Sequence, residues 1–248
     1  MEGYGNVSKG CTLCSRAEKI PVYTTFICNK KEKCIYCPVA IGLFGSDQVM
    51  VGSKRIHNSQ ELIKSLENAK GASITGGEPL AVPERTLDII AKIKEVYGKD
   101  FHLHMYTNGL AFDETIATKF YKAGLDEIKL HTFDLEKFKL ARKFDWDVSA
   151  SLVCLPEQKE FLLAFIKQLE GLGVNSVTLS EAEVSKLNSQ NLRNAPYETE
   201  GKSIKGSKQC CLDIIDYARK NNWDISINSC IIEEVMETAK QRVYAIEI

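Results

Sequence analysis

Hydrophobic and polar positions alternate between two periods along most of the chain. Val22–Ile27 (VYTTFI) is a β-branched and aromatic run of strand type. A helix is predicted over Ser59–Ala69, with Asn58 or Ser59 as its N-cap, then a short buried strand over Ala72–Thr75 that ends in Gly76-Gly77. In Pro83–Tyr97, Leu87, Ile89, Ile90, Ile93 and Val96 fall close to helical spacing. Phe101–Thr107 alternates like a strand and stops at the turn dipeptide Asn108-Gly109. Helices over Asp113–Ala123, Asp134–Phe144 and Glu157–Leu172 then interleave with strands over Glu127–Leu130, Val148–Leu155 and Ser176–Leu179. About six β-α units in a row argue for a parallel sheet with helices packed outside it. Six units fall short of a closed eight-fold barrel, so the expected α/β architecture is an open, partial (β/α)6 barrel over residues 21–182.

Beyond Ser180 the pattern loosens. A helix is predicted over Ala182–Leu187, and Asn188–Lys208 is polar and carries Pro196, Gly201 and Gly206, which reads as a long loop. A helix over Cys210–Lys220, a short strand over Asp224–Asn228 and a final helix over Ile231–Val243 complete a C-terminal segment, 183–248. Residues 1–20 form a separate extension with a Cys-x-x-Cys pair.

Composition narrows the class. Of 248 residues, 44% are hydrophobic and 26% charged, as in an ordinary globular protein. The formal net charge of -1 gives no bulk pull toward nucleic acid, and no apolar run has the length of a membrane span. The first ten residues are polar, without the apolar stretch of a secretory signal, so a cytoplasmic location is expected. Nine cysteines in such a chain point to metal or redox chemistry before a disulfide framework.

Three constellations carry that chemistry. Cys28, Cys34 and Cys37 follow the first strand, and three thiolates from one loop can hold three irons of a cubane cluster, leaving the fourth iron open. Gly76-Gly77-Glu78-Pro79 follows the second strand. Its glycines allow close approach to the backbone, Glu78 can accept from an ammonium group, and Pro79 fixes the chain beside it. The third set is Cys11 and Cys14 with Cys211, narrowly preferred to its neighbour Cys210, and Cys230 far downstream, four soft ligands suited to zinc or to a second Fe–S cluster. Cys154 lies in an apolar strand and reads as a buried thiol. His102 and His104 read as ordinary strand residues.

A three-cysteine loop after strand one and a GGEP loop after strand two resemble the signature of the radical S-adenosylmethionine (SAM) superfamily, over roughly Val22 to Ser180. The sequence keeps that family's two-residue gap before the last cysteine, with Tyr36 in the aromatic position. It departs at the first gap, which has five residues instead of three. The resemblance implies a radical SAM type partial barrel with a [4Fe–4S] cluster on Cys28, Cys34 and Cys37. SAM would be held by Gly76, Gly77, Glu78 and Pro79, with Tyr36 near the adenine and Asn108 by the methionine or ribose. His131 and Ser151 would add polar contacts. It also implies an electron donor of ferredoxin or flavodoxin type, reductive cleavage of SAM, and a substrate that the sequence leaves unidentified. The early cysteine pair and the late Gln241-Arg242 are similar to an archaeal group related to pyruvate formate-lyase activating enzymes.

Two rival readings belong to other classes. Cys11-x2-Cys14-x19-Cys34-x2-Cys37 matches zinc-ribbon spacing, which would make the chain a zinc-binding interaction module. An Fe–S electron-transfer protein would use the same cysteines without SAM. The zinc reading leaves Cys28 and the GGEP loop unexplained.

Overall fold

The computed structural model describes residues 1–30, 34–186, 188, 189, 192 and 195–238. In chain order the elements are β1 (Gly3–Tyr4), α1 (Lys9–Ser15), β2 (Lys19–Thr25), β3 (Val49–Val51), β4 (Lys54–Ile56) and α2 (Ser59–Lys64). Then come β5 (Gly71–Gly76), α3 (Pro83–Tyr97), β6 (His102–Thr107), α4 (Glu114–Lys122), β7 (Glu127–Leu130) and α5 (Leu135–Ala141). The chain continues with β8 (Asp147–Cys154), α6 (Lys159–Gly171), β9 (Ser176–Glu181), β10 (Thr199–Glu200), β11 (Ser203–Ile204), α7 (Ser207–Lys220) and β12 (Ser226–Cys230). A helical run over 232–238 follows.

Local chemistry places the helix starts. Asp113 accepts from the Ile116 amide at 2.8 Å at the head of α4, and Asn58 accepts from the Glu61 amide at 2.9 Å at the head of α2. Pro83 opens α3, and Gly98 closes it at φ 75°.

One sheet runs in the order β1-β12-β9-β8-β7-β6-β5-β2-β3-β4. The strands from β12 through β2 are parallel, and β1, β3 and β4 pair antiparallel at the two edges. The sheet does not close, so the partial barrel stands, and β12 joins it as a further parallel strand. Side chains alternate across each strand. On β6, β7 and β8, Leu103, Met105, Ile128, Leu130, Val148, Ala150 and Leu152 are buried in the apolar core with the helices. The alternate positions, His102, His104, Glu127, Lys129, Ser149 and Thr178 on β9, are buried and polar and face the concave side.

Helix α1 sits in that concavity at the N-terminal ends of the strands. A Cβ on Gly10 would lie 2.3 Å from His104 Nδ1 and 2.5 Å from Glu127 Oε2, while Cys11 Sγ lies 3.4 Å from Thr178 Oγ1 and 3.4 Å from Lys129 Nζ. Touching β6, β7 and β9 at once, α1 works as a plug around which the sheet curves.

The helix expected over Ala182–Leu187 does not form across the described residues 182–186. Ala182 and Val184 instead pair with the chain through Ile204 N to Ala182 O (3.0 Å) and Val184 N to Lys202 O (2.7 Å), and Glu183 bridges Ser203. That pairing buries Ala182 with Leu155, Leu192 and Ile204, which a single helical turn would not do. The stretch expected as loop contains the β10–β11 hairpin, turned at Gly201 with φ 59°. Lys31–Lys33, Leu187, residues 239–243 of the final helix and the Gln241-Arg242 pair lie outside the described residues. Among those described, no helix is long and apolar enough to cross a membrane.

Candidate functional site

The C-terminal ends of the parallel strands surround a cavity of about 430 Å³. Its wall includes Cys28, Cys34, Cys37 and Tyr36 from the loop after β2, and Gly76, Gly77, Glu78 and Pro79 from the end of β5. Asn108 after β6, His131 after β7 and Ser151 on β8 complete the set expected around the cofactors. All of these residues therefore share one cavity.

The two glycines are required by packing. Gly77 N donates to Thr25 O at 2.9 Å, and Glu78 N donates to Ile27 O at 2.8 Å, so the GGEP loop is strapped against the start of the cysteine loop. A Cβ on Gly76 would lie 2.0 Å from Thr25 O, and one on Gly77 would lie 2.3 Å from Ile27 O. Gly76 also adopts φ 143°, which side chains disfavour.

Glu78 is 2% exposed. Its Oε1 accepts from Thr107 Oγ1 at 2.7 Å and Leu80 N at 3.0 Å, and its Oε2 accepts from Asn108 N at 2.7 Å. Burial raises its pKa, and those three donors oppose the rise. Each carboxylate oxygen has two lone pairs, so Oε2 keeps one acceptor direction.

Asn108 reaches across to the cysteine loop. Its Nδ2 donates to Asn29 Oδ1 at 2.8 Å and approaches Cys28 Sγ at 3.9 Å. Lys30 Nζ lies 3.3 Å from Cys34 Sγ. His131 donates from Nδ1 to Ser151 O at 2.7 Å, which fixes the tautomer and leaves Nε2 as an acceptor. Burial lowers its pKa, so the ring is neutral. Tyr36 meets that ring edge-on at 5.6 Å, and burial, with Cys34 beside it, pushes its hydroxyl up to about 12.

Sequence reasoning missed the support behind Cys37. Ser185 Oγ and Asn188 Nδ2 donate to Cys37 O at 3.1 Å and 3.4 Å, and Asn188 is 1% exposed. Both residues lie in a polar stretch with no periodic pattern, so only their long-range partner reveals them.

The third cysteine set is divided. Cys11 and Cys14 lie on α1, and Cys230 lines the cavity from the end of β12. Cys211 lies on α7, on the outer side of the sheet, buried in the apolar core with Cys154 and Cys210. Among the described residues no three of Cys11, Cys14, Cys211 and Cys230 bring their sulfurs within 4.8 Å of one another. Nor, among the described residues, do any three of Cys11, Cys14, Cys34 and Cys37 bring their sulfurs within 4.8 Å of one another.

The group that does converge within 4.8 Å is His102, His104 and Glu127. His102 Nε2, His104 Nε2 and Glu127 Oε2 have no hydrogen-bond partner. Lysine amines already occupy this place: Lys19 Nζ lies 2.8 Å and 2.9 Å from the two Nδ1 atoms, and Lys129 Nζ lies 2.7 Å from Glu127 Oε1. With Lys19 donating to both Nδ1 atoms, each neutral ring carries its proton on Nε2 and offers no lone pair there. Burial opposes the charge on Glu127, but Lys129, 2.7 Å away, overcomes it and holds the carboxyl well below its usual range. The cluster is a buried charge network and not a cation site.

Comparisons with known proteins bear on the family and the fold. The family model of the radical SAM superfamily matches residues 22–143. A protein of Methanocaldococcus jannaschii, provisionally named a glycyl-radical enzyme activating enzyme, is 26% identical over 92% of this chain, which spans 64% of that relative. Streptococcus suis SuiB bound to S-adenosylmethionine superposes with a TM-score of 0.59 at 13% identity, over 86% of this chain and 50% of SuiB. The enzyme anSMEcpe, with bound AdoMet and a peptide, gives 0.56 at 14% identity, over 84% of this chain and 62% of its own. Over residues 22–143 the chain thus carries the pattern of the radical SAM superfamily.

Proposed function

We propose that this protein is a radical SAM enzyme that holds a [4Fe–4S] cluster on Cys28, Cys34 and Cys37 and cleaves SAM reductively. The observation that carries this reading is the shared cavity: three thiols of one loop open into the same space as the GGEP loop, Asn108, His131 and Ser151. The donor set fits the cluster, since three thiolates leave one iron for a further ligand. When bound, the cluster and SAM supply one-electron chemistry that ends in a carbon radical able to take a hydrogen atom from a substrate.

The chain's own residues bind and orient. The free direction of Glu78 Oε2 suits an ammonium group, while the strapped glycines keep the backbone open to it. Neutral His131 offers Nε2 as an acceptor. Asn108 links the two loops, so a shift in one is felt by the other. Lys30, beside Cys34 at the cavity wall, suits contact with an acidic electron donor of ferredoxin or flavodoxin type.

The zinc-ribbon reading would need Cys11, Cys14, Cys34 and Cys37 together, and among the described residues no three of their sulfurs come within 4.8 Å of one another. A SAM-independent electron carrier would leave the cavity beside the cysteine loop without a purpose. The test is anaerobic reconstitution with iron and sulfide, followed by dithionite and SAM. The expected result is 5′-deoxyadenosine from the wild-type protein and none from Cys37→Ala. A cluster that forms without cleaving SAM would favour the electron carrier, and bound zinc alone would overturn the assignment.

A further inference from the structure

Cys230 is the one cysteine outside the cluster loop that opens into the cofactor cavity. It ends β12, two residues after Asn228, and pairs in register with Ser180, which also lines the cavity. Asn228 Oδ1 contacts Thr178 Oγ1 at 3.4 Å, so this set of β12 side chains points to the concave side. The proposed function leaves the Cys230 thiol without a task.

We infer that Cys230 is a hydrogen-atom donor to carbon radicals formed in the cavity. This inference rests on the radical SAM reading above. The S–H bond is weaker than the aliphatic C–H and alcohol O–H bonds on that wall and comparable to the phenolic O–H of Tyr36 and Tyr106, so transfer from sulfur to a primary carbon radical is downhill. The step balances simply. A carbon radical and Cys230 S–H give a C–H bond and a Cys230 thiyl. One electron from the reductant that serves the cluster, with one proton from solvent, restores the thiol.

The surroundings keep the donor in its protonated form. Burial, followed by the neighbouring thiols of Cys14 and Cys11, pushes the Cys230 thiol up to about 12. The consequence for reaction class is definite. An enzyme that leaves a stable radical on its product has no need of such a donor. One that returns a hydrogen atom to a rearranged or reduced product does.

The test needs no substrate. The reconstituted protein is given SAM and dithionite in D2O, where Cys230 carries deuterium. With SAM alone, the carbon radical takes its atom from Cys230, so 5′-deoxyadenosine should contain one solvent deuterium. The Cys230→Ser variant should lose it, because a hydroxyl is too strong a bond to donate. The deuterium fraction does not depend on how much SAM is cleaved. Equal deuterium in both proteins, or none in the wild type, overturns the role of Cys230 while leaving SAM cleavage intact. Absence of 5′-deoxyadenosine from the wild type overturns the radical SAM reading and this inference with it. A second measurement is independent of turnover: infrared difference spectra on adding SAM should show a shifted S–H stretch that Cys230→Ser lacks. An S–H region identical in the two proteins would place the thiol away from the ligand and refute the assignment.

Discussion

Lys19 offers a quantitative test of the buried network. The residue is 1% exposed, and its Nζ lies between the Nδ1 atoms of His102 and His104. Burial is the largest influence and lowers its pKa from 10.5 to about 7, with Glu127 resisting and Lys129 assisting. The folded chain therefore releases a proton that the unfolded chain keeps up to pH 10.5. Holding the charged form inside costs about 5 kcal/mol, at roughly 1.4 kcal/mol per pKa unit. That cost is full below about pH 7 and fades toward the unfolded value, so stability rises with pH across this window, by about 2 kcal/mol between about pH 7 and pH 9. The groups facing Lys19 do not reverse the sign. His102, lowered by burial and then Lys19 to about 3, and His104, also lowered, are neutral throughout. Glu127 stays ionised. Burial opposes ionisation of Cys11, but Lys129 outweighs it and the thiol titrates below its usual value, which adds to the rise. Urea unfolding of the reconstituted protein at about pH 7, 8 and 9, followed by far-ultraviolet circular dichroism, should show the midpoint climbing. Lys19→Met should flatten the trend. A wild-type midpoint that is level or falling, or an equal climb in the variant, would refute the reasoning.

Three further substitutions probe the site. Gly77→Ala places a methyl 2.3 Å from Ile27 O and 2.6 Å from Phe26 O, both backbone atoms, and should cost roughly 2–4 kcal/mol in urea unfolding while loosening the cysteine loop. Glu78→Gln turns an amide NH2 toward Asn108 N or Thr107 Oγ1 and weakens charge-assisted bonds, with an expected loss of about 2–3 kcal/mol and a raised Kd for SAM by calorimetry. Cys211→Ala should leave the iron and zinc content unchanged by plasma mass spectrometry, because Cys211 packs with Cys154 and Cys210 on the outer side of the sheet. Loss of one metal equivalent would restore it to a ligand role.

The strand and helix order was legible because each β-α unit carries its own marks. The expected Pro83–Tyr97 and Glu127–Leu130 coincide with α3 and β7, where proline, a terminal glycine or a short apolar alternation sets the ends. Helix α1 was not legible. Its seven residues include Gly10 and bury Gly10, Cys11 and Leu13, so it has no apolar stripe, and its stability comes from what it plugs. The β3–β4 hairpin has three residues per strand, too few for a period to register. Residues 182–186 pair with a segment about twenty positions later, a contact that local propensity does not contain.

The candidate site was legible where a loop carried several reactive residues at once, and illegible where strand alternation hid them. In an antiparallel sheet, a polar residue at every second position usually marks a face turned to water. Here the same alternation fills the concave side, with His102, His104 and Tyr106 on β6 and Glu127 and Lys129 on β7. Buried charges persist only when paired, and here Glu127 is paired with Lys129 beneath the helix that covers both. Tyr106 and Cys230 continue two of the polar rows upward and, like His131, Ser151 and Ser180 on the neighbouring rows, reach the cofactor cavity. From the sequence, a reacting thiol on such a row looks like one more polar position. What distinguishes Cys230 from Asn228, two residues before it, is height along the strand: Asn228 bonds within the packed interior, whereas Cys230 meets open volume beside the cluster loop.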